Sequence, residues 1–176
     1  MNTIKITSGK YRGRSIQTPG DGTHPMGARE KLALFNMLAG YLPGAVVLDA
    51  YAGSGALGIE ALSRGASHVT FVEKSPQVVR TIRANLSALG ISDGFDVFQQ
   101  DVKDFSTANS YDIILADPPY DKFELNGAAN LAKLLKDTGI LVLSHPGEAP
   151  AIDGLKLIKT HQYAAAHLSI YKKSAA

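Results

Sequence analysis

Between Ala45 and His145 short apolar runs alternate with segments of helical spacing, a rhythm that predicts a parallel sheet covered by helices on both faces. The runs are Ala45 to Ala50, His68 to Glu73, Phe95 to Gln100, Tyr111 to Asp117 and Gly139 to His145. Helices are expected from Gly55 to Ser63, Pro76 to Leu89 and Asn126 to Leu135, with Ser75 capping the second and Gly90 stopping it. After His145 the pattern changes, and Leu155 to Thr160 with Leu168 to Lys172 predict an antiparallel pair added at one sheet edge. Upstream, Ile4 to Lys10 and Arg14 to Thr18 flank Tyr11-Arg12-Gly13 as a small hairpin, and Pro19-Gly20-Asp21-Gly22 breaks the chain. Leu32, Leu34, Phe35 and Leu38 then mark a linking helix over Ala28 to Leu38, ended by Gly40 and Pro43.

At 176 residues the chain has room for one well-packed core. The expected division is a basic hairpin with its linking helix over 1–42 and an α/β domain over 43–176. The absence of cysteine excludes disulfides, thiolate catalysis and cysteine-ligated zinc. His24, His68, His145, His161 and His167 have no metal-ligand spacing, so no metal is expected. No apolar stretch is long enough to span a bilayer and Met1 to Lys5 lacks a secretory layout, so the expectation is a cytoplasmic protein with no membrane partner. The net charge of +2 is unevenly spread: residues 1–31 hold six cations against two carboxylates, while the remainder holds twelve against fourteen. A basic leading segment on a mildly acidic body points to a local polyanion contact through Lys10, Arg12, Arg14, Arg29 and Lys31, with a solvated hairpin as the plainer reading.

Gly53, Gly55 and Gly58 form GxGxxG between a strand and a helix, where a ligand can approach the backbone and the N–H groups of the helix start. Alone that pattern also serves a dinucleotide, or simply tight helix packing. Asp49 at the end of the first strand shifts the reading, because a carboxylate there repels a pyrophosphate and suits the ammonium group of S-adenosylmethionine. Glu73 ends the second strand 20 residues beyond Gly53, a place from which it can accept from both ribose hydroxyls. Asp101 follows the third and is a candidate for the adenine amine, with a plain capping role as its competitor. Ala50 and Tyr51 beside Asp49, Lys74 beside Glu73 and Val102 beside Asp101 complete the candidate cofactor set.

Asp117-Pro118-Pro119-Tyr120 closes the fourth strand. The exocyclic amine of a nucleobase is a poor nucleophile, since its lone pair is delocalised into the ring, so positioning does most of the catalytic work. The Asp117 carboxylate and the Pro118 carbonyl can each accept one N–H of such an amine, turning the lone pair outward and stabilising the positive charge that develops on nitrogen. Two prolines stiffen the turn and remove competing donors, and Tyr120 can stack on the base. The base must leave its stack to reach this turn. The sequence therefore predicts methyl transfer to an amino nitrogen, with Asp117, Pro118, Pro119 and Tyr120 as the catalytic set.

The chain resembles the bacterial RsmD-type family, which methylates the N2 amine of a guanine in small-subunit (16S) ribosomal RNA. The resemblance is carried by Ser8-Gly9-Lys10-Tyr11-Arg12-Gly13-Arg14, by Leu34-Phe35-Asn36, by the block from Leu48 to Ala66, by Phe71-Val72-Glu73-Lys74, by Asp117 to Tyr120 and by Leu168-Ser169-Ile170-Tyr171. It implies a class I methyltransferase fold, Rossmann-like, with a seven-stranded, mostly parallel sheet of order 3-2-1-4-5-7-6. It also implies S-adenosyl-L-methionine as donor, ribosomal RNA or the small ribosomal subunit as partner, and guanine rather than another base as target. A monomer is expected. One segment departs from the family's R-P-T-x-D-R-x-R-E-like pattern: His24-Pro25-Met26-Gly27-Ala28-Arg29-Glu30-Lys31 lacks the Thr and Asp that precede the basic positions. Competing readings are an adenine-N6 methyltransferase, a protein glutamine methyltransferase, a dehydrogenase that leaves the Asp-Pro-Pro-Tyr turn unused, and a non-catalytic RNA-binding assembly factor.

Overall fold

A computed structural model describes residues 2–20, 26–163 and 166–174. The segment 21–25, which contains part of the expected chain break and part of the family-divergent stretch, lies outside the described residues. Strands β1 (Thr3–Lys5) and β2 (Ser15–Gln17) form the predicted antiparallel hairpin, and α1 (Ala28–Met37) follows. The sheet and its helices are then built from β3 (Val46–Ala50), α2 (Ala56–Ser63), β4 (His68–Glu73), α3 (Pro76–Ala88), β5 (Phe95–Gln99), β6 (Tyr111–Ala116), α4 (Leu125–Ala132), β7 (Leu135–His145), β8 (Leu155–Tyr163) and β9 (Ala166–Lys173).

The seven-stranded sheet runs β5-β4-β3-β6-β7-β9-β8. Counted from β3, that is the order 3-2-1-4-5-7-6. The first five strands in this row are parallel, and β9 and β8 are antiparallel to their neighbours. Apolar side chains fill both faces, as parallel strands require. On one face Val47, Phe71, Ile113 and Val142 pack with Ile59 of α2 and Ile82 of α3. On the other Leu48, Val72, Ile114 and Leu141 pack with Ala128 and Leu131 of α4.

Several expected boundaries differ from the structure: the first hairpin arm, expected over Ile4 to Lys10, covers only Thr3–Lys5, the terminal strands run to Tyr163 and from Ala166, and two differences bear on the sheet's centre. The helix predicted over Asn126 to Leu135 stops at Ala132, and the strand predicted from Gly139 begins at Leu135. The cause is a capture of the backbone: Leu134 O accepts the Tyr111 N–H at 2.8 Å, which pulls the chain into register with β6 before the polar Lys136 to Thr138 stretch. A register shift between Tyr111 and Ile113 absorbs that early start.

The hairpin and α1 share the core of the sheet. Ile6, Ile16, Leu34 and Phe35 are buried with Val47 and Ile59 in one cluster. Beneath them Glu60 of α2 is fully buried, and its carboxylate pairs with Lys31 Nζ at 3.2 Å and Arg64 Nε at 3.1 Å. It also accepts the backbone N–H groups of Thr7 and Ser8. Asn85 of α3 makes a second joint: its amide exchanges bonds with the Gln17 backbone and donates to Ser54 O in the glycine loop.

Candidate active site

The glycine loop is shaped by the strand end it leaves. Beyond Ala50 the chain turns sharply at Tyr51, whose φ of 58° is positive, and continues through Gly53 and Gly55 with φ of 55° and 82°. Only residues without a Cβ take that backbone freely, so the Gly pair is a geometric requirement of the turn. Gly58 serves differently: a Cβ there would run into the Phe71 ring, so the missing side chain lets α2 lie directly on the sheet. A Cβ at Gly53 would meet nothing within 4 Å, which leaves the outer side of the loop open to a ligand.

Two predicted acids hold this loop. Asp49 Oδ2 accepts the Gly58 N–H at 2.9 Å, tying the end of β3 to the first turn of α2. Glu73, at the end of β4, accepts the Gly53 N–H and the Ser75 N–H, each at 3.0 Å. Asp101 accepts the Lys103 N–H at 3.1 Å as cap of a short 3-10 turn over Val102–Asp104, so the capping role weighed from sequence is present. Burial raises the pKa of Tyr51, and the nearby charge of Asp101 adds to that rise. Ala50 and Val102 are buried beside the acids, and Lys74 is exposed.

Asp117 follows β6, the strand next to β3 on the side away from β4. Asp49, Glu73 and Asp117 therefore mark the carboxyl ends of three neighbouring strands. Burial holds the Asp49 pKa well above the ordinary aspartate range, the Gly58 N–H draws it back, and the charges of Asp117 and Glu73 push it further up. Burial raises Asp117 as well, partly offset by the Ser144 hydroxyl. Among the described residues the ion pairs all involve other acids. The described acids are also not clustered as a metal-ligand set. Buried carboxylates without a protein cation are costly. Their arrangement suits a cationic ligand, and a sulfonium carrying an ammonium group is one, so the residues present fit S-adenosylmethionine.

The Asp-Pro-Pro-Tyr segment leaves β6 in extended form and enters a short 3-10 turn at Tyr120–Lys122. Pro118 is buried and Pro119 exposed. Tyr120 is 37% exposed, and its hydroxyl is hydrogen-bonded to Ser144 Oγ near the end of β7. Sequence reasoning missed Ser144. Its signal is a hydroxyl immediately after the apolar run Ile140 to Leu143, where a neighbouring strand already carries Asp117.

The five predicted RNA contacts are not brought together. Lys31 is 1% exposed and commits its ammonium to Glu60 and, at 2.9 Å, to Lys5 O, so it is a core ion pair and not a phosphate contact. Lys10, Arg12 and Arg14 are exposed on the hairpin turn. Lys10 N–H donates to Ser63 O, the last residue of α2, and the Arg14 guanidinium donates to Ala88 O, the last of α3. Gly65, just past α2, bonds to Gly44 ahead of β3, so the turn lies at the end of the sheet opposite Asp117. Arg29 differs. The contacts Lys31 to Glu60 and Phe35 to Arg64 show α1 running parallel to α2, which puts exposed Arg29 at the end where α2 begins beside the glycine loop.

Comparison with known proteins places this geometry among methyltransferases. Residues 4–172 match the family described as conserved hypothetical protein 95. YlbH of Bacillus subtilis, provisionally named an rRNA methyltransferase, is 31% identical over 97% of this chain and 99% of its own length. The ribosomal RNA small subunit methyltransferase D of Escherichia coli is 36% identical over 78% of this chain and 69% of that protein. Among solved structures, yhhF from Escherichia coli, provisionally named a methyltransferase, superposes with a TM-score of 0.90 at 30% identity, covering 99% of this chain and 100% of that one.

Proposed function

This chain belongs to the conserved hypothetical protein 95 family, the RsmD-type family, and on that footing we propose that it transfers a methyl group to the N2 amine of a guanine in small-subunit (16S) ribosomal RNA. The observation that carries the reading is the row of Asp49, Glu73 and Asp117 on adjoining strand ends, with no ion pair among the described residues, beside an open glycine loop and a proline-stiffened turn. Guanine as the target is supported by family resemblance alone.

S-adenosylmethionine, when bound, supplies a sulfonium methyl carbon that the amine attacks. Asp49 balances the ammonium of its methionine part, and the lone pairs left on Glu73 accept from the ribose hydroxyls. Asp101 accepts from the adenine amine, while Ala50, Tyr51, Lys74 and Val102 line the same cleft. The Asp117 carboxylate and Pro118 carbonyl each accept one N–H of the target, and Tyr120 stacks on the base. Asp117 or water would take the extra proton from the methylated nitrogen, and the electron pair of the broken C–S bond would stay on sulfur. Arg29 meets the RNA backbone near the target, and Lys10, Arg12 and Arg14 meet it on the hairpin side. In this reading 1–42 is the RNA-facing part and 43–176 the catalytic domain.

The deciding experiment incubates the protein with labelled S-adenosylmethionine and unmethylated small ribosomal subunits, then identifies the modified nucleoside. N2-methylguanosine is expected. N6-methyladenosine would overturn the choice of base, and no transfer would overturn the activity.

A further inference from the structure

The β6–β7 register pairs Ala116 with Leu143, so the next residues on the two strands, Asp117 and Ser144, stand side by side. Ser144 is 3% exposed. Its hydroxyl is hydrogen-bonded to the Tyr120 hydroxyl, and its place beside Asp117 partly offsets the rise that burial imposes on the Asp117 pKa. A serine hydroxyl has one proton to donate, and an ionised carboxylate only accepts. The Tyr120–Ser144 bond can run either way, so a Ser144 O–H turned toward the neighbouring Asp117 leaves Tyr120 as the donor to Ser144.

We propose that Ser144 is a positioning residue of the methyl-transfer site, which locks the Asp117 carboxylate and the Tyr120 ring into one unit and leaves the remaining acceptor capacity of Asp117 for the target N–H. The inference rests on the methyl-transfer reading above. Without the lock, Asp117 is free to rotate about its side-chain bonds, and the partly exposed Tyr120 ring is free to swing into the cleft. Both groups must be set to within fractions of an ångström for the lone pair to line up with the methyl carbon. Other groups bear on the same carboxylate: Asp49 opposes its charge from β3, Tyr120 lies on the turn, and no described cation pairs with it.

The test compares wild type, Ser144→Ala, Tyr120→Phe and the double variant, with methyl transfer to small subunits and calorimetric S-adenosylmethionine binding as readouts. Ser144→Ala is expected to lower kcat roughly tenfold, the effect of one lost charge-assisted hydrogen bond, while KM and donor affinity change by less than about twofold. Its acid limb moves to higher pH, because the donor removed had favoured the charged Asp117. The double variant loses no more than the worse single one if the three groups act as a unit. A carboxyl-carbon NMR titration of Asp117 reads the same contact without turnover, and its midpoint is expected to rise in Ser144→Ala. An active wild type with unchanged kcat, acid limb and titration in Ser144→Ala overturns the proposal. A loss of melting temperature with an unmoved acid limb and midpoint overturns it too, since that is a packing role alone. A wild type that transfers no methyl while the titration still shifts would overturn the enzymatic reading instead.

Discussion

Glu60 and the strand-end Asp49 are both buried carboxylates, and they are treated in opposite ways. Glu60 is enclosed by Lys31, Arg64, the Thr7 hydroxyl and two backbone N–H groups, and despite burial its pKa is held below the ordinary glutamate range. Asp49 has one backbone N–H and two acidic neighbours, and its pKa is pushed the other way. The first arrangement is complete within the protein. Among the described residues the second has no cation, and that asymmetry is what suits it to a cationic ligand, as burial alone would not.

The largest effect that tests this contrast is at the clamp. Asp117→Ala is expected to reduce methyl transfer by about a thousandfold or more, with S-adenosylmethionine and RNA affinity little changed, as separate transfer and binding assays will show. Equal losses in binding and turnover would break the comparison by making Asp117 a structural acid. Next is Glu60→Ala, which strands Lys31 and Arg64 and is expected to destabilise the protein by about 3–5 kcal/mol in urea unfolding. Lowering the pH orders the two systems. Asp49, with its raised pKa, loses charge first, so donor binding measured by calorimetry weakens while the fold stands. The stability that Glu60 supplies is fully present above its unfolded pKa and is lost only as pH falls through its depressed folded value, so acid unfolding by circular dichroism comes later. The smallest effect belongs to the outer cations. Arg12→Ala is expected to weaken RNA binding roughly twofold to threefold and flatten its salt dependence, and Arg29→Ala to do more because it stands at the clamp end.

Lys31 shows why that last group needed the structure. In sequence it belongs to a basic stretch with Arg29, which points to a phosphate contact. Yet Lys31, Leu34, Phe35 and Leu38 follow helical spacing, so the cation lies on the apolar face of α1, where the only stable place for it is an ion pair. The strand and helix rhythm was legible because each run is apolar enough to be core, and the strand order came from family likeness. The early start of β7 was hidden by Lys136, Asp137 and Thr138, which read as a loop and are held extended by neighbours far away in sequence. Asp49, Glu73 and Asp117 were legible as strand-end acids. Ser144 was not, since its value depends on a register that only the folded sheet reveals.

Gly127 lies in the third position of α4, and a Cβ on it would come within 2.9 Å of the Tyr51 hydroxyl. Replacing a mid-helix glycine with alanine is a routine way to stiffen a protein, with a gain of about 1 kcal/mol in an exposed helix. Here the added methyl group would nudge an aromatic side chain whose own backbone is already contorted beside the glycine loop. The disturbance would pass from α4 to the turn that carries the glycine loop, so thermostabilising this scaffold at Gly127 would retune whatever the proposed donor pocket holds.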